Sequence, residues 1–265
     1  MATSRLAAEH LRLAYDKRIV VDDLSVDIPD GGFTVIIGPN ACGKSTLLKA
    51  LSRTLKPEAG TVLLDGQPIG SYRSRTVARE LAMLPQSPIA PEAMTVKDLV
   101  SRGRYPHQGL LRQWSSADER AVAAALESTG ISDLTARFVT ELSGGQRQRA
   151  WIAMVLAQET ELLLLDEPTT FLDIAHQYEV LELCGRLHNQ GRTLVAVLHD
   201  LNQAARYATN LVVMKAGQIV ATGAPQDVVT AELIEDVFGL PCVVITDPQA
   251  GTPMVIPRVA RPVLR

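Results

Sequence analysis

The sequence predicts an α/β fold in which a mainly parallel sheet is covered by helices on both faces. Short, nearly continuous apolar runs recur at residues 35–37, 162–165, 193–198 and 211–214, the pattern of strands buried on both faces. Stretches of helical character separate these runs. The composition is that of a folded chain: 46% of the 265 residues are hydrophobic and 21% charged, so neither extensive disorder nor a coiled coil is expected.

Each element follows from a local pattern. Residues 11–15 and 20–28 alternate apolar with polar side chains, which predicts a small antiparallel sheet beside the core. A strand over Phe33–Ile37 then runs into a glycine-rich turn and a helix at 44–53. A further strand is expected over Leu81–Leu84. From about 88 to 158 strand signals vanish. That block carries helices at 116–129, where Val122, Ala125 and Leu126 share one face, and at Gly144–Ala157, so it reads as a mainly helical subdomain inserted into the core. Strand 162–165, helix 174–187 and strands 193–198 and 211–214 return to the core, and a Pro-punctuated extension after Gly239 includes a short strand at 243–245. The expected organisation is one domain over 1–265, with its core in 1–87 and 159–239, the helical subdomain in 88–158 and an extension in 240–265.

Charge and cysteine usage exclude several classes. Lys and Arg number 26 against 29 Asp and Glu, a net charge of -3, so the basic surplus that a nucleic-acid partner would require is missing. Cys42, Cys184 and Cys242 are dispersed and odd in number, which suits a reducing compartment better than a disulfide framework or a cysteine-held metal. No apolar stretch approaches the ~20 residues of a spanning helix, and residues 1–10 lack the pattern of a leader. The chain is expected neither to cross a membrane nor to leave the cytosol, while docking on a membrane-embedded partner stays open.

Chemistry concentrates in three motifs. Gly38, Pro39, Asn40, Ala41, Cys42, Gly43, Lys44 and Ser45, followed by Thr46, have the spacing of a P-loop between a strand and a helix. Glycines there let backbone N–H groups curl around phosphates, the helix N-terminus adds a positive dipole end, Lys44 reaches β and γ phosphates, and the Ser45 hydroxyl suits Mg²⁺. Leu162 to Leu165 end in Asp166 and Glu167, a buried strand closing on two adjacent carboxylates. Alone, that would be a strand entering an acidic turn; beside a P-loop, Asp166 suits Mg²⁺ and Glu167 suits proton acceptance from an attacking water. Leu142, Ser143, Gly144, Gly145 and Gln146 precede a helix with Arg147 and Arg149; Ser143 can cap it and the glycines expose amides to an anion.

Together these motifs resemble the nucleotide-binding subunit of ATP-binding cassette (ABC) transporters, for which Leu-Ser-Gly-Gly-Gln is the signature. The resemblance runs from about Tyr15 to Pro257. It implies a P-loop ATPase with ATP and Mg²⁺ as cofactors, Tyr15 stacking on adenine, Gln86 touching Mg²⁺ and sensing the membrane subunit, Asp173 in a loop facing a second copy, and His199 contacting the γ-phosphate. It also implies a head-to-tail dimer. In it Lys44, Ser45, Asp166, Glu167 and His199 act on one side of each ATP, and Ser143 and Gly145 of the other chain complete the site. Implied partners are that second copy, membrane permease subunits and, indirectly, a substrate-binding protein, with the chain peripheral on the cytoplasmic side of the membrane.

One position departs from the usual motif. Ala41 stands where these loops usually carry glycine, so its backbone must tolerate a Cβ, and a modest loss of binding is expected. Cys42 reads as an ordinary small loop residue, since nothing nearby suggests a resolving thiol. The segments at 101–107, 169–177 and 198–202, with Phe171 the most telling residue, resemble importers of iron chelates: ferric siderophores, with vitamin B12 and haem as near alternatives. Two rivals have discriminators. A DNA-repair type ATPase would need long insertions or basic tracks, and a non-hydrolysing nucleotide switch would lack the carboxylate that Glu167 supplies.

Overall fold

The computed structural model describes residues 4–16, 18–109 and 114–258. β1 (Ser4–Tyr15) and β2 (Arg18–Pro29) pair antiparallel, and β3 (Phe33–Ile37) leads through the glycine-rich turn into α1 (Lys44–Leu51). β4 (Ala59–Leu64) and β5 (Gln67–Pro68) extend the first sheet to the order β2-β1-β4-β5. α2 (Ser74–Glu80) and β6 (Leu81–Leu84) precede the helical block, in which α3 (Val96–Ser101), α4 (Ser116–Ser128) and α5 (Gly144–Ala157) are the principal elements. The chain then alternates through β7 (Leu162–Asp166), α6 (Ile174–Asn189), β8 (Thr193–Val197), α7 (Leu201–Tyr207) and β9 (Asn210–Lys215). β10 (Gln218–Gly223), α8 (Pro225–Val228), α9 (Ala231–Phe238) and the ribbon of β11 (Cys242–Thr246) and β12 (Pro253–Pro257) complete the described chain. Residues 259–265 of the expected extension lie outside the described residues.

The central sheet has the order β10-β9-β3-β8-β7-β6, with β6, β7, β8, β3 and β9 parallel and β10 antiparallel at the edge. Every residue of β3, β7 and β8 is buried, as continuous apolar runs under two helical layers require. Because β6, β7, β8 and β3 are consecutive neighbours, their carboxyl ends open side by side. Ligands of such sheets collect in the crevice at that edge.

Several boundaries differ from expectation for identifiable reasons. β1 and β2 are each 12 residues long, because bulges shift the register between Ala8 and Leu11 and put His10 and Asp23 at positive φ, breaking the alternation that marks a strand in sequence. α1 stops at Leu51, since Arg53 adopts a left-handed φ of 62°. α6 runs two residues past the expected 187 before Gly191 turns at φ 90°.

The helical block is locked by a buried ion pair. Arg104, in the 3₁₀ turn Arg102–His107, places Nε 3.0 Å from Asp118 Oδ1, and both side chains are almost fully enclosed. Arg104 Nη1 also donates to the Ala157 carbonyl (2.7 Å) and to Glu159 (2.6 Å). Asp118 Oδ2 accepts from the Ser115 hydroxyl and N–H as the α4 capping box, and these bonds with Arg104 hold its pKa down to about 2. The 3₁₀ turn lies so close to α5 that a Cβ on Gly103 would come 2.1 Å from the Met154 carbonyl.

At the other end, the β11–β12 ribbon leans on α7. Asn202 accepts from the Val255 N–H (2.7 Å) and donates to the Val255 carbonyl (3.2 Å), while Arg206 pairs with Asp247. Among the described residues no helix is long and apolar enough to cross a membrane.

Candidate active site

β3 delivers the chain into a loop whose conformation its residues dictate. Gly38 (φ 155°) has no room for a side chain, since a Cβ would approach the Met214 carbonyl to 2.2 Å, and Gly43 (φ 108°) caps α1. Between them Ala41 sits at φ 61°, a left-handed conformation that carries a strain of about 1–2 kcal/mol for a residue with a Cβ. Position 41 is therefore a glycine-type position occupied by alanine, and the expected tolerance of a Cβ comes with strain. The loop borders a cleft of about 750 Å³, lined by Tyr15, Asp16, Arg18, Val20, residues 40–46, Glu167 and His199. Lys44 is buried, its Nζ donating to the carbonyls of Gly38 (2.8 Å) and Pro39 (2.9 Å).

Parallel register brings the acidic pair opposite this loop. The Ser45 hydroxyl donates to Asp166 Oδ1 at 2.8 Å, and Asp166 Oδ2 is buried with no hydrogen-bond partner. An orphaned carboxylate oxygen next to a serine hydroxyl is an all-oxygen donor set that suits a hard divalent cation such as Mg²⁺. Among the described residues no cluster of three His, Cys, Asp or Glu side chains could hold a metal, so such a cation would complete its shell with water or phosphate oxygens.

Glu167 is the convergence point. Its Oε2 accepts from Gln86 Nε2 (2.6 Å) and from the Thr170 hydroxyl (3.0 Å), and its Oε1 lies 2.7 Å from His199 Nε2. The neighbouring acids are driven apart in acidity. Burial pushes Asp166 above the ordinary aspartate range, Ser45's hydrogen bond opposes this and the charge of Glu167 adds to it. Burial acts in the same direction on Glu167, but hydrogen bonds from His199, Thr170 and Gln86 outweigh it and leave the group below the ordinary glutamate range. Glu167 is thus ionised at neutral pH and can receive a proton. It holds this position at φ 53°, backbone strain of the kind concentrated at reactive sites.

Tyr15, the residues from Asn40 to Thr46, Glu167 and His199 thus share one cleft, and Asp166 and Gln86 join it through Ser45 and Glu167. The signature residues lie apart. Leu142 is buried; Ser143 caps α5 by accepting from the Gln146 N–H, while the Gln146 side chain returns a bond to the Ser143 N–H. Ser143 and Gly144 are exposed, and Gly144 lines a separate crevice with Gln86, Trp151 and Phe171. Gly145 packs on His176, whose Cδ2 a Cβ would meet at 2.5 Å. Asp173 caps α6 and bonds His176 Nδ1 at 2.7 Å. Residues missed in the sequence include Thr170, whose spacing of three after Glu167 is a turn signal, and Arg18, which no local pattern marks.

The chain is similar to known proteins over most of its length. A family model described as ABC transporter matches residues 21–170. The chain is 57% identical over 257 residues to the ferric enterobactin transport ATP-binding protein FepC of Escherichia coli (strain K12), covering 97% of this chain and 95% of that one. It is 53% identical over 253 residues to the petrobactin import ATP-binding protein FpuD of Bacillus anthracis, covering 95% and 93%. Among solved structures it is similar to an inward-facing ABC transporter described as of the metal-chelate type, with a TM-score of 0.83, 30% identity and 98% of each chain covered.

Proposed function

Because the chain belongs to the ABC transporter family, we propose that it is the ATP-hydrolysing subunit that powers import of an iron chelate, a ferric siderophore, through a membrane permease. The observation that carries the substrate class is the likeness to FepC over 97% of the chain. The converging Ser45, Asp166, Glu167 and His199 support the chemistry.

In this reading Tyr15 stacks on adenine, and the loop amides with Lys44 bind the phosphates. Ser45 and Asp166, together with Gln86, would hold Mg²⁺, which would supply positive charge against the phosphates. Glu167, ionised and aimed by Gln86 and Thr170, takes the proton of the attacking water, and His199 contacts the γ-phosphate. Ser143 and Gly145 complete the site of a second copy of the chain, and Asp173 faces that copy. The exposure of Ser143, away from its own chain's cleft, supports this division. ATP closes the pair of chains and hydrolysis reopens it, and the helical block passes that motion to the permease through the region around Gln86, with the chain on the cytoplasmic face of the membrane.

Labelled-iron uptake tests the proposal. Deleting the gene should abolish energy-dependent uptake of one ferric chelate while leaving extracellular capture intact, and Lys44→Ala should not restore it. Loss of vitamin B12 or haem uptake alone would move the substrate class. Unchanged uptake of every solute would end the transporter reading.

A further inference from the structure

We infer that Gln203 and Gln177 are positioning residues that make the helix behind His199 and the loop carrying Asp173 move as one body. α7 begins at Leu201, and Asp200, directly after His199, caps it by accepting from the Gln203 N–H at 2.8 Å. The Gln203 side chain is buried, and its Nε2 donates to Gln177 Oε1 at 2.7 Å. Gln177 Nε2 in turn donates to the Leu172 carbonyl at 3.0 Å. The direction of the relay is fixed by chemistry: a carbonyl can only accept, so Gln177 must turn its NH₂ to Leu172 and its oxygen to Gln203.

The relay ends one residue before Asp173, whose other flank is held as well. Asp173 Oδ1 accepts from the His176 N–H (3.0 Å) and contacts His176 Nδ1 (2.7 Å), and the His176 ring fills the space that a side chain on Gly145 would need. The Leu172–Asp173 peptide is therefore held by two residues of α6: Gln177, itself bonded from the helix that follows His199, and His176, on which Gly145 of the signature helix packs. Beside the Thr170–Glu167–His199 bonds, these two amides thus give the Asp173 loop a second connection, to the helix that carries His199's chain onward. A buried amide of this kind acts on placement, because losing its partner leaves a desolvated donor or acceptor that the loop must shift to satisfy.

This inference rests on the assignment of His199 to the γ-phosphate and of Asp173 to the second copy. The test uses the full chain with Gln203→Met, Gln177→Met and the double variant, which keep side-chain length and bulk while deleting the amides. Each single variant is expected to lower ATP turnover about fivefold to tenfold, with ATP affinity in a fluorescence titration within about twofold of wild type. The double variant should fall no further than the weaker single, because the residues share one bond. Normal turnover in both single variants, effects that multiply in the double, or turnover lost together with ATP affinity would each overturn the inference. A His199→Ala control separates the two levels: full turnover there would bring down the reading of His199 itself, and the inference with it.

Discussion

The Glu167 carboxylate and the His199 imidazole meet at 2.7 Å across the carboxyl ends of two adjacent strands, β7 and β8. Neither group is placed by its own element alone. Glu167 is further held by Gln86, just after β6, and by Thr170 in the turn it starts, so three consecutive strand ends fix one proton acceptor.

Replacing Glu167 by Gln removes the acceptor at nearly constant shape. Turnover should fall by about 10²-fold or more, while ATP binding persists. ATP should then trap a closed dimer visible by size-exclusion chromatography. Wild-type hydrolysis by this variant would remove Glu167 from its assigned role.

Ser143→Arg should leave binding on the chain's own P-loop intact and stop turnover by placing bulk and charge where the second copy's γ-phosphate docks. Lys44→Ala should instead weaken ATP binding, because it deletes the cation that the proposed function sets against the β and γ phosphates. Mixing the two variants should restore assembly around one composite site of two. Normal hydrolysis by Ser143→Arg alone would contradict a shared site.

Ala41→Gly should stabilise the chain. Relief of a left-handed Cβ, less the greater freedom of glycine in the unfolded state, nets about 0.5–1 kcal/mol. A rise of roughly 1–4 °C in Tm follows for a chain of this size. A lower Tm in a calorimetric scan would mean the strain at position 41 is compensated elsewhere.

The buried pair of Arg104 and Asp118 gives a pH signature. Asp118's pKa in the folded chain, about 2, is below its unfolded value, so its contribution is complete above roughly pH 4 and is lost as pH falls through about 2. In urea titrations the stability gap between wild type and Asp118→Asn should hold from pH 7 to about pH 4 and close below it. Arg104→Ala should cost about 3–5 kcal/mol at neutral pH, since it strands the carboxylate in the interior. A gap that persists at pH 2 would refute the assignment.

Much of this was legible in one dimension because the elements are locally determined. α5 begins and ends as its capping serine and apolar positions dictate, and β6 matches its apolar run. The phosphate loop and the Asp166–Glu167 pair are contiguous in sequence, so their chemistry could be read directly. What escaped depends on distant contacts. The ends of β1 and β2 are hidden by bulges, and β4 and β5 have no pattern of their own beyond pairing with β1 and with each other. The Gln203–Gln177 bond exists only because the helix after β7 and the helix after β8 are brought together, whereas Thr170's grip on Glu167 is local to the turn after β7. The left-handed backbone of Ala41 was suggested by the motif's habit of glycine, and the residue itself gives no sign of it.

Asn202 spends both ends of its amide on the backbone of Val255, and so gives β12 the neighbour that a third strand would have provided. A two-stranded ribbon is marginal alone in water, so β11 and β12 can settle only once α7 exists to receive them. Residues 242–257 also leave the ribosome after everything they pack upon. The brace on the helix that follows His199 is therefore the part of the described fold that is installed last, on a sheet and helices already made.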